Sequence, residues 1–252
     1  MKRKALLIGN SNGLPGVKMD IKNWYSFLTS GIGGGWYPNE IDIEMNPRKS
    51  ALLNKINNFK NIFDFVIVVY SGHGGYSKGT ILEINCFEEY VYEDDLKNIA
   101  PKQISVFDCC RCTIQENDAH NNYSFILFSD AKKQHLFNIR HAYETRITKA
   151  IPQQISLYAC SVGESAYDSN EGGYYTKNFL ESTNIFIDGQ PFSTVGIVHG
   201  ASAAKTTFEV KEKENKIQRP DAFLPKCLSS QQLIISINPK YYEQESPYRL
   251  LF

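Results

Sequence analysis

Two short stretches hold the residues best suited to chemistry. One is Ser105-Val106-Phe107-Asp108-Cys109-Cys110-Arg111-Cys112, an apolar run that ends in an acid, two adjacent cysteines and an arginine. The other is Phe63 to Tyr70, an apolar run that stops at Ser71-Gly72-His73-Gly74-Gly75. Apolar runs of this length read as buried strands. Reactive groups gather where such strands give way to loops. A cysteine and a histidine delivered in this way are the parts of a Cys–His dyad. In that chemistry a thiolate attacks a carbonyl, the imidazole passes a proton to the leaving amine, and N–H groups hold the oxyanion.

The roles follow from residue type. His73 is the candidate acid/base. Its flanking glycines carry no Cβ, so backbone N–H groups there approach a substrate closely. Gly74 is one candidate oxyanion donor, and the N–H of Cys110 is the other. Cys109 and Cys110 cannot both be the nucleophile, because successive side chains on a strand point to opposite faces. One meets the histidine and the other packs as a small hydrophobe. The spacing leaves open which is which. Asp108, two residues before Cys110, shares its face, where a carboxylate could bind a cationic side chain. His199-Gly200 follows another strand-like run and is a rival partner for the cysteine. A zinc site is disfavoured, since Cys109-Cys110-x-Cys112 lacks Cys-x-x-Cys spacing. Cys86, Cys160 and Cys227 read as structural.

Composition narrows the setting. The chain has 252 residues, enough for a substantial core. Lys+Arg and Asp+Glu are both 27, so no basic excess points to nucleic acid or an anionic membrane. No stretch is long enough to span a bilayer. Lys4 to Gly9 reads as a strand rather than a signal peptide. The expected location is the cytoplasm, with six reduced cysteines.

The elements that must position the site can be read in order. Strands are expected over Lys4 to Gly9, Glu40 to Glu44, Phe63 to Tyr70, Ile81 to Phe87, Ile104 to Cys109, Ile155 to Cys160 and Gln232 to Ile237. Val17, Ile21, Trp24, Tyr25 and Leu28 recur at helical spacing. Asn46-Pro47 reads as an N-cap with proline at the first helical position, opening a helix that carries Leu52, Ile56 and Phe59. Glu93 to Ile99, Lys133 to Arg146 and the stretch after Gly172-Gly173 are further helices. Tyr123 to Phe128 is a candidate strand, Phe192 to Val198 alternates weakly, and Ala204 to Pro220 reads as a charged loop. Strands alternating with helices predict a mostly parallel α/β sheet with helices on both faces. His73 and Cys110 then both follow central strands at the carboxyl end, where such sheets carry their sites.

At this point the residues resemble a known family. Asp108-Cys109-Cys110-Arg111 resembles the Asp-x-Cys signature of the metacaspase nucleophile, and its Cys-Arg step resembles the caspase form. Ser71-Gly72-His73-Gly74 resembles the family's histidine motif. Lys4 to Asn10 with Leu14-Pro15-Gly16 and Asp20 is similar to its opening strand and helix. Tyr158 to Ala166 with Gly172-Gly173-Tyr174-Tyr175-Thr176 is similar to the start of its small-subunit region. The chain is thus similar to a divergent bacterial-type metacaspase or caspase-like peptidase.

The resemblance implies a three-layer caspase–hemoglobinase fold in one domain over 1–252. Its large-subunit-like part is about 1–112, its linker about 113–152 and its small-subunit-like part about 153–252. It implies a cysteine endopeptidase with His73 as catalytic histidine, and it favours Cys110 over Cys109. It further implies cleavage after Arg or Lys, with Asp20 and Asp108 binding the basic side chain and Ser71 beside them. Arg111-Cys112-Thr113 departs from the family's usual His-Ser-Gly. No cofactor is expected. Calcium is the one alternative, because Asp94-Asp95 resembles part of a family calcium site, with Asp118 later in the chain. Self-cleavage is expected after Lys132, Lys133, Arg140, Arg146 or Lys149. The resemblance also suggests an effector released by a partner protein, as in bacterial defence, and the alternative is a non-catalytic caspase-like module that binds partners.

Overall fold

The computed structural model describes residues 1–113, 133–169 and 171–244. The chain opens with strand β1 (Arg3–Gly9) and helix α1 (Gly16–Thr29), followed by β2 (Ile41–Met45), α2 (Lys49–Phe59) and β3 (Phe65–Ser71). Three short strands come next, β4 (Gly74–Tyr76), β5 (Thr80–Glu83) and β6 (Tyr90–Tyr92), then β7 (Lys102–Asp108). Helix α3 (Lys133–Lys149) leads into β8 (Gln153–Tyr158), a small hairpin β9 (Asp168–Ser169) and β10 (Gly172–Gly173), and α4 (Tyr174–Ser182). The chain continues through β11 (Phe192–Thr194), α5 (Val195–Glu214), β12 (Asp221–Phe223), β13 (Ile234–Ile237) and α6 (Pro239–Gln244).

Six strands form the central sheet, in the order β12-β8-β7-β3-β1-β2. Four of its five pairings are parallel, and at one edge β12 runs antiparallel to β8. Every residue of β3 is buried, as expected for a strand covered on both faces. Alternation divides its side chains between two cores. Phe65, Ile67 and Val69 pack with Trp24 of α1, Tyr143 of α3, Phe179 of α4 and Val198 of α5. Val66, Val68 and Tyr70 pack with Leu52 and Ile56 of α2 and with Leu82 and Val91 of the small sheet. The structure is therefore an α/β sandwich of three layers.

Several sequence readings are corrected. Ala204 to Pro220 is no loop: α5 is a helix of 20 residues that runs through Glu214. Its buried stripe includes Ser202, Thr206 and His199, so it lacks the apolar signal of an amphipathic helix. Asn46 does not cap α2. It sits at φ 49°, and its Oδ1 accepts from the Ser11 N–H at 2.9 Å, bracing the loop after β1. Glu93–Leu96 forms only a single 3₁₀ turn. Strand β13 pairs with β11, outside the central sheet. Tyr123 to Phe128, Asp118 and Lys132 lie outside the described residues. Lys133–Lys149 is helical, so the basic residues expected on an open loop lie on α3. Among the described residues, no helix is long and apolar enough to cross a membrane.

Candidate active site

Four parallel strands, β1, β3, β7 and β8, release their chains at one end of the sheet. Ser71 and Asp108 are register partners at the ends of β3 and β7. His73 and Cys110 each follow two residues later. The Gly72 N–H donates to the Asp108 carbonyl at 3.1 Å, which carries the pairing one step past the strand. The chain direction reverses its lateral order beside β1, and loops at such a switch point line a crevice.

The two adjacent cysteines part company here. Cys109 is 2% exposed and belongs to the core with Tyr70 and Tyr158. A Cβ on Gly74 would lie 2.7 Å from its Sγ, so the glycine is required for this packing. Cys110 is half-buried and points to the other side, with its Sγ 3.6 Å from the Ala166 carbonyl oxygen. Burial pushes the Cys110 thiol above its ordinary range, so at rest it holds its proton.

His73 is fixed through its backbone and its ring. The Tyr70 hydroxyl lies 2.6 Å from the His73 carbonyl oxygen and also contacts the Glu83 carbonyl. The Glu83 N–H donates to the His73 carbonyl at 3.1 Å. The ring Nε2 lies 2.7 Å from the carbonyl oxygen of Asn12, in the loop after β1. A carbonyl only accepts, so Nε2 carries the hydrogen and Nδ1 is the basic nitrogen of the neutral ring.

Asp20 and Asp108 come together as buried carboxylates, 2% and 6% exposed. Asp20 Oδ2 accepts from Ser71 Oγ at 2.7 Å, and its Oδ1 accepts from the Gly173 N–H at 2.9 Å. Asp108 Oδ2 accepts from the Thr176 N–H at 3.0 Å and from Thr176 Oγ1 at 2.6 Å. All these donors are neutral. Burial, and then the Asp108 charge, push the Asp20 carboxyl well above the usual range. Burial lifts Asp108 to about 6, with Asp168 adding to the rise and the Thr176 hydrogen bonds opposing it. The β9–β10 hairpin forms the rim. Gly172 has φ 109°, where glycine is favoured, and a Cβ there would fall 2.2 Å from Asp20 Oδ1.

Asp168 is a third acid that sequence reasoning missed. It is exposed, accepts from the Gly16 N–H at the start of α1, and interacts electrostatically with Asp20, Asp108 and His73. Burial of part of its carboxyl, the largest influence, raises it. Its only signal was its place between Ala166 and Gly172, inside the motif. Asn12 and Thr176 contribute through backbone atoms or a hydroxyl, which residue type alone does not reveal.

The other candidates have different employment. Arg111 is buried, stacked 4.0 Å from the Tyr158 ring, with Nε donating to Thr80 Oγ1 at 3.1 Å and Nη1 3.4 Å from Asp221. It clamps the loop behind Cys110 to the edge strand. His199 lies on α5 with Nδ1 2.8 Å from the Tyr175 hydroxyl. Asp94 pairs with Lys97 at 3.2 Å, and Asp95 accepts from the Tyr92 N–H at 2.9 Å. These contacts account for both acids, and among the described residues no group of three His, Cys, Asp or Glu could hold a metal ion.

A family profile described as Caspase domain matches residues 2–222. A crystal structure of caspase-1 from Spodoptera frugiperda is similar with a TM-score of 0.57, at 11% identity, over 88% of this chain and 86% of that one. That likeness speaks to the fold. No curated protein matches the sequence. With the profile spanning the central sheet, both site loops and the acidic cradle, the chain belongs to the caspase-domain family of cysteine peptidases.

Proposed function

We propose that the protein is an endopeptidase that cleaves after Arg or Lys, with Cys110 as nucleophile and His73 as acid/base. The observation that carries this reading is the cradle of Asp20 and Asp108, two buried carboxylates whose hydrogen-bond donors are all neutral. A cationic P1 side chain would supply the missing countercharge, and a guanidinium fits two carboxylates through its fork of donors. An acidic P1 residue would be repelled.

The chemistry then runs as follows. The neutral imidazole takes the Cys110 proton on Nδ1 as the thiolate attacks the scissile carbonyl. The imidazolium keeps its Nε2–H on the Asn12 carbonyl, and Asp168 stabilises its charge. The N–H groups of Gly74 and Cys110 are proposed to hold the oxyanion. His73 returns the proton to the leaving amine, and water later releases the acyl-enzyme by the same route. Asp168 completes the pocket at its mouth, where it faces both the P1 cation and the imidazole.

The test is covalent capture. An acyloxymethyl ketone on a peptide ending in Arg should label Cys110 alone, and the Asp-ending analogue should not. Labelling spread over several cysteines, or none, removes the assignment.

A further inference from the structure

Cys109-Cys110-Arg111-Cys112 contains one thiol more than the reaction and the core use. Cys109 packs against Gly74 and Tyr70. Cys112 has no such employment: it is half-buried, with its Sγ 3.2 Å from Ser165 Oγ. Cys110 Sγ lies against Ala166, the next residue. The Ser165 hydroxyl also hydrogen-bonds the Cys110 thiol. Both thiols therefore converge on one dipeptide, from the same side of an extended segment. The segment is held in place: the Cys112 carbonyl accepts from the Tyr76 N–H at 2.9 Å, and the Arg111 N–H donates to the Glu164 carbonyl at 2.9 Å. Cys160 is the nearest rival. It is fully buried, and its thiol is engaged with the carbonyls of Cys109 and Glu164 at 3.4 and 3.2 Å.

We infer that Cys112 is a resolving thiol for the nucleophile, closing a Cys110–Cys112 disulfide after a hydroperoxide has oxidised Cys110. This rests on the reading of Cys110 as the reactive thiol. In the first step the Cys110 sulfur attacks the peroxide O–O bond. The bond breaks, Cys110 becomes a sulfenic acid, and the released alkoxide or hydroxide takes the thiol proton to leave as alcohol or water. In the second step the Cys112 sulfur attacks the Cys110 sulfur. The S–O bond breaks, and hydroxide leaves with the Cys112 proton as water. The protein has lost two hydrogens, and a dithiol returns them. A link between residues two apart departs from preferred disulfide geometry, and strained disulfides are the readily reduced, regulatory kind. The bond would stop the peptidase reversibly and keep Cys110 from the irreversible sulfinic acid.

The experiment exposes the full-length protein to hydrogen peroxide, blocks free thiols, and reads intact mass and a tryptic map. Trypsin cuts after Arg111, so the bond joins peptide 103–111 to peptide 112–132, and fragmentation tells Cys109 from Cys110. The expected wild-type product has lost two hydrogens, carries the Cys110–Cys112 link, and reverts with dithiothreitol. Cys112→Ser and Cys112→Ala should instead gain two or three oxygens at Cys110. Cys160→Ala should behave as wild type, and it guards against a rival link. Wild type that goes directly to oxygenated Cys110, or links through Cys109, Cys160 or a second molecule, overturns the inference. The readout does not need peptidase activity. Cys110 inert to both peroxide and the arginyl ketone sinks the nucleophile assignment; Cys110 labelled by the ketone yet over-oxidised sinks only the resolving role.

Discussion

Ser71 and Asp108 stand opposite each other as the last register pair of β3 and β7. Ser71 holds Asp20, Thr176 holds Asp108, and the two chains then continue to His73 and Cys110. One strand pairing thus sets the proposed specificity pocket and the proposed dyad together. A change in the pocket should register at the chemistry, and it should do so without unfolding the sheet.

Asp108→Asn tests the pocket and carries a stability signature of opposite sign. Activity on Arg reporters should fall about a hundredfold or more, because the P1 cation loses a buried partner. The folded carboxyl is lifted to about 6 by burial, above its unfolded value. Its contribution to stability is therefore fully present below the unfolded value and lost as pH rises through about 6. At neutral pH Asp108→Asn should be more stable than wild type, by about 1–3 kcal/mol. Thermal unfolding from about pH 4 to about pH 8 checks this. An Asn variant that is less stable than wild type across that whole range contradicts it.

The same carboxyls predict a pH dependence of substrate binding. In the empty pocket Asp20 and Asp108 both hold protons more tightly than free carboxylates. Binding a P1 cation must displace that protonation. KM for an Arg reporter should therefore rise as pH falls below about 6, with kcat following the dyad separately. A reporter with a neutral P1 residue should lack the KM trend.

Gly173→Ala isolates the space around Asp108. Gly173 has φ −62°, which any residue adopts, yet a Cβ there would sit 2.5 Å from Asp108 Oδ2. Displacing that carboxylate should cost tenfold or more in kcat/KM for Arg, about 1–3 kcal/mol of strain, while the circular dichroism spectrum stays unchanged. Activity equal to wild type would show that the cradle is not used.

Tyr70→Phe tests how His73 is held. The lost hydroxyl contacts the carbonyls of His73 and Glu83. The His73 carbonyl keeps the Glu83 N–H and the Glu83 carbonyl keeps the Asn10 side-chain amide, so losing one donor should lower kcat about threefold to tenfold, with little change in KM. An equal rise in KM would place the fault in the pocket instead.

Self-cleavage is narrowed by α3. Arg140 pairs with Glu40 and Glu144 at 2.6 and 2.8 Å, and Arg146 donates to the Ser229 carbonyl at 2.9 Å. Peptide bonds inside a helix with these anchors are not presented as an extended substrate. Fragment masses of the incubated native protein should contain no cut after Arg140 or Arg146. Such cuts would mean that α3 opens readily.

The sheet was legible because its strands are buried on both faces, and burial leaves unbroken apolar runs such as Val66 to Val69. The candidates His73, Cys110, Asp108 and Ser71 were legible because they end those runs. The spacing left Cys109 and Cys110 open, the family resemblance favoured Cys110, and packing against Gly74 puts Cys109 in the core. The length of α5 was hidden because its buried side includes serine, threonine and histidine. Asp168 was hidden because a carboxylate on a short hairpin looks like any loop acid until the fold brings it beside Asp20. Asn46 misled because asparagine both caps helices and adopts positive φ, and here it does the second.

The most direct measurement is hydrolysis of two peptide reporters, identical except for Arg or Asp at P1, by wild type and by Cys110→Ala. The account predicts cleavage of the Arg reporter alone, reduced at least about a thousandfold in Cys110→Ala. Cleavage of the Asp reporter, or Arg cleavage that survives in Cys110→Ala, would contradict it.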